Sequence, residues 1–437
     1  MMMNEETWDF VRTHRDDDIR TLALHAKRRD GIDMPMALDQ IAGWQTARTK
    51  LPQWAASDGI VYPPHISMEQ CSSQFTAQYK AKVARRLIRQ SNEDAANRRA
   101  PSSRPDPIGG TSLVDLTGGF GVDCSYMARA VDHATYVERQ PHLCALAEHN
   151  MAALGLSHVD VVNADADAYL QSMSPATLVF LDPARRDAHG QRTYAITDCA
   201  PDALALKHGL LAKAAYVMIK LSPMLDWRKT VADFDGAVHE VHIVATANEC
   251  KELLVVLGHG ICHAPLLFCV NDGQRTEIQP DEATTAAGAK TAADNVGLTS
   301  SELRGCRLYE PNAALMKAGC FDAIAQRFGV SQIASNSHLF ISRGDVPDFP
   351  GRRFVIEASG TLGKKELRAT LAGLSHANIT VRNFPMTVAA LRRKLKLGDG
   401  GGVYLFATTD AAGRHLLIRC RKPPVATTTT AGDTVTV

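Results

Sequence analysis

Apolar and polar positions along residues 111–260 follow a pattern that is typical of an open α/β sheet. Short apolar runs of strand length are separated by segments in which apolar residues recur at helical intervals. The predicted strands begin at Leu113, His133, Val159, Leu178 and Ala215, and a closing pair is predicted at 238–246 and 252–257. Polar or charged residues stand at the carboxyl ends of four successive strands. Because ligands bind at the carboxyl edge of such sheets, this edge is the predicted ligand-binding site.

The flanking regions have other patterns. Residues 1–105 carry apolar side chains at helical intervals without a long strand signal, which predicts a helical amino-terminal domain. A stretch rich in Pro and Gly at 97–110 is typical of a linker. Residues 261–345 are predicted to form a small α+β module, interrupted by a polar, mobile loop at 271–300. The low-complexity tail, 425–437, is expected to be disordered.

The first predicted strand ends in a glycine-rich turn. The segment from Leu113 to Gly121 reads Leu-Val-Asp-Leu-Thr-Gly-Gly-Phe-Gly, so an apolar strand ends at Asp115 and is followed by three glycines. Glycine lets a ligand approach the backbone closely, and the helix expected at 122–131 would direct its N-terminal N–H groups towards the turn. The spacing differs from the G-x-G-x-x-G of dinucleotide enzymes. A carboxylate about 20 residues after the loop, Glu138, is the candidate for binding a ribose diol.

Further segments give the chain a specific resemblance. They read Asp-Pro-Ala-Arg-Arg-Asp at 182–187, Lys-Leu-Ser-Pro-Met-Leu-Asp at 220–226, Asn-Glu-Cys-Lys-Glu-Leu at 248–253 and Tyr-Glu-Pro-Asn-Ala-Ala at 309–314. Additional motifs lie at 62–71, 336–340, 349–354 and 382–385. With these motifs the chain resembles a bacterial family of class I S-adenosylmethionine-dependent methyltransferases. The resemblance implies a Rossmann-like sheet, a ferredoxin-like module within 261–345 and a THUMP-like domain at 346–424.

The resemblance also implies roles for residues at the carboxyl edge of the sheet. S-adenosyl-L-methionine would be the cofactor, with its ribose bound by Glu138 and its adenine amine recognised by Asp165. The loop residues expected to hold the cofactor are Asp115, Thr117, Gly118, Gly119 and Gly121. Asp182 ends the fourth strand, which faces the methyl group in this fold, and is the candidate catalytic residue. Its carboxylate would accept a hydrogen bond or a proton from the methyl acceptor, and no metal is needed.

Residues close to Asp182 are candidates for substrate contacts. Arg185 and Arg186 are suited to holding a phosphate or carboxylate, although a structural salt bridge is the alternative. Lys220 ends the fifth strand on the same edge, where substrate contact and a structural ion pair are both open. The Asp-Pro-Ala-Arg motif lacks the second Pro and the aromatic residue usual in amine methyltransferases. It partly matches uracil-C5 RNA methyltransferases, which use a cysteine nucleophile. Cys250 is the candidate for that role, with an inert buried thiol as the alternative.

The formal net charge of +1 is distributed unevenly. Residues 346–424 contain fourteen Lys or Arg against five Asp or Glu, an excess of nine positive charges. Such an excess suggests an anionic partner, and RNA is the predicted one. The positive charge is densest in a helix expected from Met386, at Arg392, Arg393, Lys394 and Lys396. A solvated helix face without a partner is the alternative.

Composition and cysteine spacing narrow the class of protein. The ten cysteines occur singly, without a C-x-x-C pair, so free thiols are expected and no metal site is predicted. A cytoplasmic location is expected, because no apolar run approaches the ~18 residues that span a bilayer. The favoured function is an S-adenosylmethionine-dependent methyltransferase that acts on RNA. A protein or small-molecule methyltransferase stays open, as does a non-catalytic RNA-binding or cofactor-binding protein, although the latter would not need Asp182.

Overall fold

The computed structural model describes residues 3–25, 31–97, 110–185, 196–279 and 300–423. The chain divides into two compact units. The first comprises Met1–Thr246 and Cys250–Phe268, and the second comprises Ala247–Glu249 and Cys269–Val437. Within the described ranges, no helix is both long enough and apolar enough to cross a membrane.

Helices precede the sheet of the first unit. They are α1 (Glu5–His14), α2 (Ile19–His25), α3 (Met34–Lys50), α4 (Pro52–Ala55), α5 (His65–Gln70) and α6 (Gln74–Asn97). Asn4 caps α1, since its side chain accepts a hydrogen bond from a backbone N–H in the first turn. Trp54 and Leu87 are buried in the same apolar cluster as Phe120 and Met218 of the α/β region. The later helices therefore share a core with the sheet, whereas Phe10, Val11 and Ile41 of α1 and α3 form a smaller apolar cluster among the helices themselves.

The sheet of the first unit contains the predicted strands. They are β1 (Ser112–Asp115), β2 (His133–Glu138), β3 (Val159–Asn163), β4 (Ala176–Leu181), β7 (Ala214–Leu221), β8 (Val238–Thr246) and β9 (Glu249–Leu257), and a two-residue pair forms β5 (Ala184–Arg185) and β6 (Cys199–Ala200). The order across the sheet is β8-β9-β7-β4-β1-β2-β3. Strands β1, β2, β3, β4 and β7 are parallel, whereas β9 runs antiparallel to β7. Strands β2 and β3 lie on one side of β1, and β4 lies on the other, so the strand order reverses between β1 and β4. A crevice forms at the carboxyl edge at such a reversal.

The connecting helices lie between these strands in the chain. They are α7 (Val122–Met127), α8 (Pro141–Ala153), α9 (Ala166–Ser172), α10 (Ala203–Lys213) and α11 (Trp227–Asp233), with 3₁₀ turns at Ala128–Ala130 and Ile196–Asp198. The α-helix predicted at 122–131 ends at Met127 and tightens into the first of these turns. The predicted α/β fold class of the sheet is confirmed.

The second unit is built on a seven-stranded sheet. Strands β10 (Leu266–Asn271) and β11 (Gln274–Ile278) come earlier in the chain and are not part of this sheet. The elements that follow them are α12 (Ser300–Leu303), β12 (Arg307–Pro311), α13 (Ala313–Ala318), α14 (Phe321–Phe328), β13 (Ser331–Gln332), β14 (Phe340–Ser342), β15 (Gly351–Thr361), α15 (Lys364–Thr370), β16 (Asn378–Val381), α16 (Val388–Leu395), β17 (Val403–Thr409) and β18 (His415–Arg421). The strand order is β13-β14-β12-β15-β18-β17-β16. The long strand β15 pairs with β12 through its first half and with β18 through its second. Phe354 and Ile418 belong to one apolar cluster of this unit, and Leu391 and Leu417 to another.

The structure corrects part of the predicted loop at 271–300. Residues 274–278 form strand β11, which follows β10 after a two-residue turn in which Asp272 has a φ of +51°. Thr276 and Ile278 are buried while their neighbours are polar, and this alternation is too short to stand out in the sequence. Residues 280–299, the tail at 425–437 and most of the linker at 97–110 lie outside the described residues. The division into smaller domains stays a prediction.

Candidate functional site

The loop between β1 and α7 needs its glycines for different physical reasons. Gly119 and Gly121 have φ values of +55° and +86°, which side chains rarely adopt. At Gly118 the limit is space, because an added Cβ would lie 2.1 Å from Cε2 of the fully buried Tyr136. The Tyr136 hydroxyl donates a hydrogen bond to the carbonyl oxygen of Gly119. Tyr136 therefore packs against the loop at Gly118 and holds it through a hydrogen bond at Gly119.

Carboxylates at the strand ends surround this loop. Glu138 Oε2 accepts a hydrogen bond from Gly119 N at 3.0 Å. Asp115 Oδ1 accepts one from Thr117 N at 3.0 Å, and burial raises the pKa of its carboxyl well above the usual value. Asp165 is exposed and caps α9 by accepting a hydrogen bond from the backbone. The three predicted carboxylates thus lie along one edge.

A cavity of about 390 Å³ opens at this edge. Its lining brings together every residue predicted to bind the cofactor and the predicted catalytic residue: Asp115, Thr117, Gly118, Gly119, Gly121, Glu138, Asp165 and Asp182. The volume falls within the ~300–1,000 Å³ typical of small-molecule sites. The cavity lies at the carboxyl ends of β1, β2 and β4, which is where the strand order reverses.

Asp182 is tied both to the glycine loop and to the neighbouring strand. Its backbone N donates a hydrogen bond to Thr117 Oγ1 at 2.6 Å, which links the end of β4 to the turn after β1. Its carboxylate accepts a hydrogen bond from the ammonium group of Lys220 on β7. Burial opposes the charge on Lys220, but surrounding carboxylates, first among them Asp182, raise its pKa above the usual value. Lys220 is therefore a cation and not a base near neutral pH.

The amino-terminal helices supply a wall of the cavity that the sequence did not predict. Ser67, Gln70, Cys71 and Ser72 line it beside the glycine loop. Burial raises the pKa of the Cys71 thiol, so this cysteine stays protonated and inert. The segment brings polar groups to the cavity from outside the Rossmann-like sheet.

A buried ion network holds this wall against the sheet. Lys80 on α6 is fully buried, and its Nζ lies 2.6 Å from Glu252 Oε2 and 3.2 Å from Asp123 Oδ1. The Ser72 hydroxyl donates a hydrogen bond of 2.7 Å to Asp123 Oδ2. One signal could have revealed the network: Lys80 lies on a helix face that otherwise carries buried small side chains, including Ala77.

The other predicted substrate residues are placed as follows. Arg185 belongs to the short strand β5, and Arg186 lies outside the described residues. Cys250 is the second residue of β9 and does not line the cavity, so the structure does not bring it to Asp182. Across the described ranges, no group of three or more His, Cys, Asp or Glu side chains is arranged to hold a metal.

The predicted cations at the carboxyl end of helix α16 differ in their surroundings, since one is engaged in hydrogen bonds and the others are exposed. Arg392 Nη1 donates to the carbonyl oxygens of Ala377 at 3.0 Å and Gly398 at 2.7 Å, and Arg392 Nη2 pairs with Asp399 at 2.6 Å. This guanidinium stabilises the end of the helix. The remaining predicted cations are exposed, and they are Arg393, Lys394 and Lys396.

Comparisons with known proteins agree with the motifs. Family models match at residues 351–422, as a THUMP domain-like family, and at 308–350, as a ferredoxin-like domain. An uncharacterized S-adenosylmethionine-dependent methyltransferase of Mycobacterium tuberculosis is 24% identical over 310 residues, which is 70% of this chain and 79% of the relative. A crystal structure from Porphyromonas gingivalis W83, described as a candidate methyltransferase, is 29% identical with a TM-score of 0.77 and covers 97% of this chain and 100% of its own. The resemblance predicted from the sequence is confirmed.

Proposed function

We propose that this class I S-adenosylmethionine-dependent methyltransferase, which matches a THUMP domain-like family at residues 351–422, transfers its methyl group to RNA. The observation that carries the proposal is the cavity in which Asp182 and the glycine loop meet, in a chain whose residues 346–424 carry an excess of nine positive charges. THUMP domains accompany RNA-modifying enzymes, which supports RNA by analogy.

The residues around the cavity fit the cofactor. Gly119 and Gly121 are left-handed glycines in the lining of the cavity, so no side chain at these positions keeps a ligand away from the loop backbone. Glu138 would bind the ribose and Asp165 the adenine amine, and the loop would hold the rest of the molecule. S-adenosylmethionine supplies a methyl group on a sulfonium, which is already activated for displacement.

The protein's own contribution is then to position the acceptor and to receive its proton. Lys220 fixes one oxygen of the Asp182 carboxylate, and Thr117 fixes the backbone of Asp182. The other carboxylate oxygen, Oδ1, is left to accept a hydrogen bond or a proton from the nucleophilic atom of the acceptor. Because about a third of the Asp182 side chain is exposed, an acceptor that enters the cavity can reach it.

A methyl-transfer assay tests this assignment. The full-length protein is incubated with tritium-labelled S-adenosylmethionine and total RNA, and the label in the RNA is counted. Asp182→Asn should lower the rate by ~10²–10⁴, the range for general acid–base groups, and leave the affinity for S-adenosylhomocysteine unchanged. Asp160→Asn is the matched control, because Asp160 is an exposed carboxylate on β3 outside the cavity.

Two outcomes would contradict the proposal. Wild-type turnover by Asp182→Asn would mean that this carboxylate does not act on the acceptor. Incorporation of label into protein or metabolite fractions, with none in RNA, would replace RNA by one of those acceptor classes.

A further inference from the structure

The second unit contains a buried carboxylate that holds two arginines. Glu310 on β12 is 1% exposed, and it lies directly opposite Arg352 in the antiparallel pairing with β15. Glu310 Oε2 accepts a hydrogen bond from Arg352 Nε at 2.6 Å, and Glu310 Oε1 accepts one from Arg382 Nη2 at 2.8 Å. Both oxygens of one carboxylate are therefore occupied in orienting two guanidinium groups. We call these three side chains the Glu310 cluster.

The arginines of the Glu310 cluster keep hydrogen-bonding capacity that the carboxylate does not use. A guanidinium carries five N–H donors. Nε of Arg382 is shielded from solvent, and among the described residues it has no hydrogen-bond partner. The two side chains are nevertheless 42% and 36% exposed, so a ligand can reach them. With two guanidiniums and one carboxylate, the cluster has a net charge of +1.

The backbone beside the cluster is held in uncommon conformations. His338 has a φ of +52° and Asn383, which follows Arg382, has a φ of +49°. The His338 ring stacks on Phe321 with centroids 4.3 Å apart, and burial together with the nearby Arg382 lowers the pKa of the imidazole. His338 is thus neutral near pH 7 and adds a polar group without adding charge. Left-handed backbone outside glycine is found preferentially at functional sites.

We infer that the Glu310 cluster is a phosphate-binding site that holds one phosphodiester of the RNA strand. The inference rests on the proposed function for the identity of the partner. One phosphodiester carries one negative charge, which matches the net charge of the cluster. A planar guanidinium group can donate two parallel hydrogen bonds to the oxygens of one phosphate. A guanidinium that is already held by a carboxylate loses little conformational freedom when it binds. Glu310 is then a positioning residue, while Arg352 and Arg382 make the contacts.

Binding of a single-stranded RNA separates this role from simple charge attraction. The affinity of the full-length protein for a fluorescein-labelled 20-nucleotide RNA is measured by anisotropy at fixed salt. Arg352→Gln and Arg382→Gln should each weaken binding about ten- to hundredfold, the size expected for charge-assisted hydrogen bonds. Arg368→Gln is the matched control, since it removes an equal charge from an exposed position of the same unit, and it should change the affinity less than threefold, roughly the effect of a surface charge.

Replacing the carboxylate gives opposite expectations for the two explanations. Glu310→Gln raises the positive charge of the cluster, so a purely electrostatic role predicts tighter binding. Orientation by Glu310 predicts weaker binding, about tenfold, because the amide keeps only one acceptor oxygen and turns an N–H donor towards the other guanidinium. Tighter or unchanged binding by Glu310→Gln would overturn the inference, as would an effect of Arg382→Gln no larger than that of Arg368→Gln.

Two further measurements keep the result interpretable. Arg382→Lys preserves the charge and an ion pair with Glu310 but removes the planar fork, so it should retain the melting temperature and still bind RNA weakly. Wild-type RNA affinity for this variant would contradict the site. A poly-glutamate peptide should not displace the labelled RNA. If it displaced the RNA as well as unlabelled RNA does, the Glu310 cluster would be a binding site for acidic protein segments instead.

The methyl-transfer assay distinguishes failure of the site from failure of the proposed function. RNA that binds through Arg352 and Arg382 without being methylated would preserve the site and remove RNA as the acceptor. Methylation of RNA whose affinity is unchanged in both arginine variants would preserve the proposed function and remove the site.

Discussion

The stability of the first unit should depend on pH through Glu240. Glu240 on β8 is 7% exposed, hydrogen-bonds to Arg86 on α6 at 2.7 Å and pairs with His242 at 3.1 Å. Burial alone would raise the pKa of this carboxyl, but His242 and Arg86 outweigh it and lower the pKa from 4.5 to about 2. Because one pKa unit corresponds to about 1.36 kcal/mol, the ionised carboxylate contributes about 3 kcal/mol to the free energy of unfolding.

The sign of this dependence follows from the lowered pKa. The contribution is complete above the unfolded-state pKa, near 4.5, and is lost as the pH falls from there towards 2. Glu240→Gln should therefore lose about 3 kcal/mol at pH 7 and approach the wild type near pH 2. Urea unfolding between pH 7 and 2.5 measures the difference.

An exposed ion pair on the same helix provides the control. Glu93 lies 3.7 Å from Arg89 and is 64% exposed, so Glu93→Gln should change the unfolding free energy by less than ~1 kcal/mol at any pH. Parallel pH profiles for the wild type and Glu240→Gln would refute the reasoning. They would show that burial cancels the interactions with Arg86 and His242.

The cofactor carboxylate, the glycine loop and the basic helix each allow a separate test. Glu138→Gln should weaken binding of S-adenosylhomocysteine about ten- to hundredfold by calorimetry, because a charge-assisted hydrogen bond is lost; unchanged affinity would remove Glu138 from the site. Gly118→Ala should destabilise the protein by ~1–3 kcal/mol through its clash with Tyr136. Gly209→Ala is the control, because its Cβ would come no closer than 3.4 Å to a side chain, and it should stabilise α10 by ~0.5–1 kcal/mol. Equal unfolding free energies of the two variants would contradict this. Replacing the exposed cations at the carboxyl end of α16 and at its cap by Gln should reduce the slope of log RNA affinity against log salt by ~0.7 for each lost phosphate contact, and an unchanged slope would exclude this segment from binding. Those cations are Arg393, Lys394 and Lys396.

Much of the fold, and the grouping of the predicted site residues around one cavity, could be predicted because both depend on local patterns. Strand-length apolar runs define the sheet, and the carboxyl ends of parallel strands necessarily meet at one edge. A carboxylate that ends such a strand, as Glu138 does, is therefore placed by its position in the chain. Asp182 reaches the same cavity for the same reason.

The basic helix shows where local pattern was insufficient. Four cations in one short segment have equivalent chemistry in the sequence, yet Arg392 is engaged with backbone carbonyls and Asp399. Which cation faces the helix end depends on the loop that packs there. Strand β11 was missed for a related reason, since its alternation of buried and polar residues spans only 274–278.

Most strands and helices of the first unit, the glycine loop and the carboxylates along its edge could be predicted from the sequence alone, because each of these follows from spacing within a short segment. Which charged groups pair depends on how distant segments pack together. Lys80 meets Glu252 across 172 residues and Glu310 meets Arg382 across 72. An ion pair or hydrogen bond forms only within a few ångströms, and chain separations of this size carry no information about such distances. The wall of the cavity and the Glu310 cluster therefore became visible only when the helices and strands were packed together.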